Sequence, residues 1–535
     1  MANGSVRFIV YASLGVAVGA LVALLDWITV EVFLHAVLAA PPWQQMLAPL
    51  IGMLVVAAIR RVWPTAGSST SDSYLTSYHS GHGSEVSSVG PKLLGSIATI
   101  GSGGALGMEG PSVLAGSTMG QWIGDRLPRV LGQRSRLVLV VAGAAAGVAA
   151  VFQAPATGVL FALESPYRRD ISRHGLVAAL IAAASSYLTF VLLLGEKRLL
   201  SFDPAEVTFR DEIMAALVLG LLAGLVGRVL AAVFKTAKHL DEWVSFRIRL
   251  MGAAAIFSGG LALTLELVEE PLTLGLGAET AVAVILDPAV TIWAICVLFA
   301  LRVLATSATL SLGGVGGLFI PLVVQGLLLG RAVEILFDAP STGLFPVIGL
   351  AAVLGSAYRT PLAAIVFVAE TTGRAEFVIP ALIATAISQA LMGDRSVSDV
   401  QRGERATKLE RNLAEACINL MEPDDLVLDP ETSIADVVDQ LEDRGEITGI
   451  AVGAPGYQGL LVLHDLAGVI MAEGVDASVA AAMRDVPAVR HDAPAEEAAR
   501  LMNDYDTAVV AVVDSSNRPV GVITPLSLAG LHQLV

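Results

Sequence analysis

The chain has 535 residues, 55% of them hydrophobic and only 15% charged, with a mean hydropathy of +0.71. A soluble globular protein carries roughly a quarter charged residues, so a wholly soluble enzyme is excluded and a polytopic membrane protein is implied. The formal charge is −16, and residues 406–535 alone hold 22 acidic and seven basic side chains. An acidic soluble tail on a nearly neutral apolar body argues against nucleic acid and against adhesion to anionic lipid.

In chain order, "FIVYASLGVAVGALVALLDWITVEVFL" can cross a hydrocarbon core of ~30 Å as a helix. It lacks a small-residue cleavage site and contains Asp26, so it reads as a retained helix rather than a signal peptide. Further apolar segments run at about 46–62, 91–106, 137–163, 174–194, 213–235, 251–267, 288–310, 318–336, 343–370 and 376–392. Several are short or interrupted by Gly and Pro, which a membrane tolerates only where backbone lines a cavity or is buried in protein. Residues 64–90 are rich in Ser and Gly and too polar to face lipid. They are either an exposed loop or part of an aqueous pathway.

The run "GSGGALGMEGPSVLAG" (101–116) sets Glu109 among glycines and apolar residues, just ahead of Gly-Pro. Proline suits an early helical position, where the first amides have no partner within the helix. Such free amides, with the positive end of the helix dipole, attract anions. "GLFIP" (317–321) offers a second such start. Two converging starts make an anion site without lysine or arginine, weak enough for release. Glu109 is then a tethered anion competing for that site. Ionised it blocks; protonated it swings away, so it is both gate and proton carrier.

The two turns belong to an internal repeat. "GVAAVFQAPATGVLFALE" (147–164) matches the end of "GLAAVLGSAYRTPLAAIVFVAE" (349–370), with Pro155 and Pro361 each nine residues before Glu164 and Glu370. Phe161 and Phe367 hold equal places in those frames. Paired halves with interrupted helices are how transporters build a site at the repeat interface. Glu164 and Glu370 read as structural. The tail is duplicated too, each copy giving a short strand, an amphipathic helix, a strand pair and a final helix. Cys296 and Cys417 are too few for a disulfide framework or a zinc site and read as packing residues.

These motifs together resemble the CLC chloride channel and transporter family with a C-terminal CBS-domain pair, over essentially the whole chain. The resemblance implies an all-α polytopic membrane domain, an inverted repeat of interrupted helices, over 1–405, with halves at about 1–200 and 210–400. An α/β CBS pair would follow over 406–535, divided at about 412–475 and 476–535. It implies a homodimer with one pore per subunit in a plasma or inner membrane, the tail in the cytoplasm. It implies transport of chloride or a similar small anion, no enzymatic activity and no required cofactor or metal. Glu109 would be the external gating glutamate. Gly107, Gly110 and Pro111 match the gate motif, and Gly317, Leu318, Phe319, Ile320 and Pro321 the second anion-binding turn, with the Phe319 and Ile320 amides on the anion.

Departures from the family pattern leave the transport mode open. Met108 stands where a basic residue is usual, and the family's first serine motif falls on "GSSTSD" (67–72), with Ser68 as hydroxyl donor and Ser69 or Ser71 as substitutes. Ser165 replaces an inner glutamate that proton-coupled members carry, and Val397 aligns with the tyrosine that closes the inner side. Losing that tyrosine predicts a wider or apolar inner gate. Proton-coupled exchange is the expectation; a passive channel or a fluoride-type exporter is the alternative. A divalent-cation carrier or a nucleotide-sensing membrane protein is a more distant reading. In the tail the nucleotide motifs are half present, Asp465 without its hydroxyl partner and Thr524 without its acid, so adenine nucleotide is a candidate ligand.

Overall fold

The computed structural model describes residues 4–64, 70–80, 86–127, 135–172, 175–197, 200, 208–405, 412–423, 427–441, 449–453 and 456–529. The chain forms two compact units, residues 1–404 and 405–535.

The first unit is α-helical. Among the described residues eight helices are long and apolar enough to span a membrane, beginning with Gly4–Leu38 and ending with Ala375–Met392. The first contains a π-helical turn at Trp27–Leu34, directly after Asp26. Exposed apolar side chains such as Leu192, Ile379 and Val177 lie on the outside of this unit, as a lipid solvent requires.

Two apolar segments that read as single stretches in the sequence are each two helices. Segment 137–163 breaks after Phe152 and restarts at Pro155; segment 343–370 breaks after Tyr358 and restarts at Pro361. The cause is the same in both. Gln153 and Arg359 take left-handed backbone angles (φ 52° and 60°), and Ala154 and Thr360 leave the helical region because proline follows. Proline then opens the next helix at its first turn.

The two short helices so created, Pro155–Glu164 and Pro361–Thr372, cap one another. Glu164 accepts from the amides of Leu362 and Ala363 at 3.0 and 2.8 Å. Glu370 accepts from the amides of Ala156 and Thr157, 2.8 Å each, and from Thr157 Oγ1. Each carboxylate at one helix end thus meets the free amides of its partner's start, so the pair is antiparallel and related by a pseudo-twofold.

The same symmetry recurs upstream at a constant offset. Thr99 Oγ1 accepts from the amide of Val315, and Thr309 Oγ1 from that of Ala105. Gly107 and Gly317 exchange two backbone hydrogen bonds of 2.9 Å. Helices Glu109–Arg126 and Phe319–Leu336 follow, each 18 residues long. Each packs tightly on the next helix through glycine, Gly116 on Gly143 and Gly326 on Gly349.

The polar stretch resolves into a helix, Ser71–Ser80, whose Ser71, Tyr74, Ser77 and Tyr78 are buried. It lies inside the helical unit, so an exposed loop is ruled out for these residues.

The tail unit holds two four-stranded sheets. Strands β1 (Glu422–Pro423), β2 (Val427–Leu428), β3 (Gly449–Val452), β4 (Gly459–Val462), β5 (Met483–Arg484), β6 (Val489–Arg490), β7 (Val510–Val513) and β8 (Pro519–Ile523) pair in the orders β2-β3-β4-β5 and β1-β8-β7-β6. A division at 475/476 does not separate them. β5, from the second copy, closes the first sheet against β4; β1, from the first copy, closes the second against β8. The copies exchange edge strands, which removes an exposed edge from each. Cys417 is buried here, its thiol pushed up to about 11 by burial and so inert. Cys296 is exposed on its helix rather than packed.

Candidate anion site at two helix starts

Glu109 is the first residue of its helix and is fully buried. Its side chain crosses the Gly107–Gly317 bridge to the other half, where Oε1 accepts from the amide of Phe319 at 2.5 Å. The carboxylate sits where a free anion would, on the start of the opposing helix. Oε2 has no hydrogen-bond partner. Among the described residues no cation pairs with this carboxylate. With Oε2 unsatisfied the carboxylate is held loosely, since a buried oxygen left unsatisfied costs about 1–3 kcal/mol.

Glycine makes the crossing possible. A Cβ at Gly317 would lie 1.9 Å from Glu109 Oε1, and one at Gly107 would lie 2.0 Å from Oε2. No side chain larger than hydrogen fits on either side of the carboxylate. Gly110 is also crowded: a Cβ there would lie 2.1 Å from Thr70 Oγ1, the hydroxyl that donates to Gly316 O at 3.4 Å.

Phe319 is clamped by aromatics from both repeats, with ring centroids 4.4 Å from Phe152, 5.1 Å from Phe367 and 5.7 Å from Phe161. Tyr358 touches Phe161 at 5.3 Å. This cluster fixes the helix start that receives the carboxylate. The match of Phe161 to Phe367 was visible in the sequence; their convergence on Phe319 was not, because it follows from the pseudo-twofold.

Cavities border the junction on two sides. One, about 110 Å³, is lined by Met108, Phe152 and Ile320 with Asp26, His35 and Glu279. The other, about 20 Å³, has room for roughly one water-sized solute and is lined by Ser71, Asp72, Lys238, Gly316, Gly317, Leu318, Tyr358, Val397 and Ser398. Because Val397 and Ser398 lie just before the chain leaves this unit, the second cavity is on its tail side.

That cavity bears on the inner-gate expectation. Val397 lines it and the wall is mainly apolar, but the Tyr358 phenol lies beside Ser71 and carries a hydroxyl that the last segment lacks. Tyr358 comes from the end of an earlier helix, so alignment of the last segment does not reveal it. Ser68 and Ser69 lie outside the described residues. Ser71 lines the cavity, 7% exposed, with its hydroxyl against the Tyr358 phenol.

In the tail, Asp465 is held by Arg484 through two hydrogen bonds, 2.9 Å to one oxygen and 2.5 Å to the other. Thr524 Oγ1 donates to Glu422 at 3.0 Å and meets Ser527 Oγ at 2.8 Å. Each candidate nucleotide residue is thus engaged within the unit, one of them beside a carboxylate that repels phosphate.

A family model described as voltage gated chloride channel matches residues 51–393, more than half the chain, and a CBS domain model matches 478–530. The H(+)/Cl(-) exchange transporter ClcA of Salmonella paratyphi A is 31% identical over 319 residues, 56% of this chain and 66% of the relative. Its namesake from Citrobacter koseri is 30% identical over 347 residues, 60% of this chain and 72% of the relative. The chain thus matches about two thirds of the length of these relatives. Among solved structures, a CLC-type fluoride/proton antiporter is 23% identical with a TM-score of 0.63, covering 75% of this chain and 98% of that one. A eukaryotic CLC transporter is 17% identical with a TM-score of 0.62, covering 97% of both chains. At these identities the likeness is one of fold.

Proposed function

The chain belongs to the voltage-gated chloride channel family, and from that premise we propose that it carries chloride-type anions across a membrane with Glu109 as a proton-exchanged gate. One observation carries the reading: the Glu109 carboxylate occupies the amide of Phe319, at the start of the opposing helix. In the ionised state the tethered carboxylate and a free anion compete for that amide, so the site is closed to transport. Protonation removes the charge that the helix start holds, the side chain leaves, and an anion enters from either cavity. Its return as a carboxylate expels the anion and releases the proton. Flux therefore rises as pH falls.

Proton-coupled exchange is preferred to passive conduction, with the named relatives as support. Fluoride is the alternative cargo, favoured by the fluoride/proton antiporter among the fold neighbours. Within the family, the plasma or inner membrane is the proposed location and a homodimer the proposed assembly. Arg168, Arg169, Arg395 and Arg402 cluster in the segments 165–172 and 393–404 on the tail side, which favours a cytoplasmic tail. For the tail itself the proposed role is structural support, adenine nucleotide being the competing ligand.

The test is anion efflux from proteoliposomes with pH recording. An outward chloride gradient is expected to drive protons inward, and Glu109→Gln to abolish that movement, at least about tenfold, together with the pH dependence of flux. Chloride flux without proton movement in the native protein would leave a channel; unchanged pH dependence in Glu109→Gln would remove the gate.

A further inference from the structure

Lys238 ends the helix Phe209–Lys238 and points its ammonium into the tail-side cavity, its side chain only 11% exposed. It donates to Val397 O at 3.0 Å. Its carboxylate partners are distant: Asp72 Oδ2 at 3.5 Å and Asp399 Oδ2 at 3.9 Å. A well-made ammonium–carboxylate pair closes to about 2.7–2.9 Å, and an ammonium has three donors. Both acids are occupied elsewhere. Ser398 Oγ donates to Asp72 Oδ1 at 2.6 Å, and Lys235 pairs with Asp399 at 2.9 Å. His239 lies 3.8 Å from Asp399, and Lys92 adds positive charge near Asp72.

The same cavity holds a second donor group, the buried Ser71 hydroxyl beside the Tyr358 phenol. The backbone of Gly316–Leu318, which leads to the Glu109 position, forms its wall. A stretched ion pair, two neighbouring hydroxyls and a small cavity thus meet one residue away from the helix start.

We propose that Lys238 is a tail-side recruiting station for monovalent anions, with Asp72 as the tethered competitor that an arriving anion displaces. The proposal rests on the Glu109 gate reading and extends it. A lone buried cation would trap the anion and slow its exit. Asp72 prevents that by reclaiming the ammonium, as Glu109 reclaims the Phe319 amide. Anions then pass from one exchangeable counter-charge to the next, and two acids, not one, set the apparent affinity.

The experiment is chloride titration calorimetry on the full-length protein in the Glu109→Gln background, paired with chloride uptake into proteoliposomes. Asp72→Asn, which keeps the Ser398 contact, is expected to tighten chloride at least about threefold. Lys238→Met is expected to weaken it by a similar factor and lower uptake, while Lys238→Arg stays within twofold of Lys. Thermal melting selects variants that are folded, and the Asp72→Asn arm decides should Lys238→Met not fold. Affinities within twofold of the parent in both folded variants would overturn the proposal. If Glu109→Gln itself leaves uptake and its pH dependence unchanged, the gate reading fails instead.

Discussion

At the residue scale the decisive feature is a carboxylate between two glycines. Glu109 reaches the Phe319 amide because neither Gly107 nor Gly317 has a side chain to obstruct it. Gly317→Ala is therefore expected to expel the carboxylate and flatten the pH dependence of flux. Gly252→Ala, where a Cβ meets nothing within 4 Å, should leave flux within about twofold, as a surface change does. Proteoliposome flux between pH 5 and 8 reads both; a Gly317→Ala protein that still responds to acid like the native one would contradict the packing argument. Glu109 was legible in the sequence because a lone acid before Gly-Pro in an apolar run has few other uses. Tyr358 was not, since its phenol reaches the cavity from a helix remote in sequence from the last segment.

At the element scale, stability and symmetry come from the same contacts. Glu164 and Glu370 each satisfy amides that a buried helix start would otherwise leave orphaned. Glu164→Ala and Glu370→Ala should each cost about 1–2 kcal/mol, in the range of a lost helix cap, and lower the melting temperature. Because neither acid touches the carboxylate site, the surviving folded protein should keep its proton coupling. Loss of coupling at an unchanged melting temperature would assign Glu164 to the proton route instead. Equal Pro-to-Glu spacing announced this pair in the sequence, and the positions of both acids read as structural. The helix breaks at Gln153 and Arg359 were harder to see, because apolar runs continue through them and only the following prolines betray the stop.

At the scale of the whole molecule, a neutral membrane unit and an acidic tail divide the work, as the charge distribution along the chain implied. The duplication of the tail was legible; the exchange of β1 and β5 between its sheets was not, because two-residue strands carry no pattern of their own. Arg484 reaches Asp465 from one of those exchanged strands. The full chain should accordingly bind ATP or AMP weakly, above about 1 mM, by titration calorimetry, and Arg484→Ala should be the variant in which affinity improves. Tight binding by the native protein would show that the ion pair opens for nucleotide and would make the tail a sensor.

The most direct test of the central claim is to locate an anion in place of the carboxylate. In crystals of Glu109→Gln soaked in bromide, the account predicts an anomalous peak within hydrogen-bond distance of the Phe319 amide, weakened in the native protein at alkaline pH. A peak confined to other positions, or equal occupancy with and without the Glu109 charge, would contradict it.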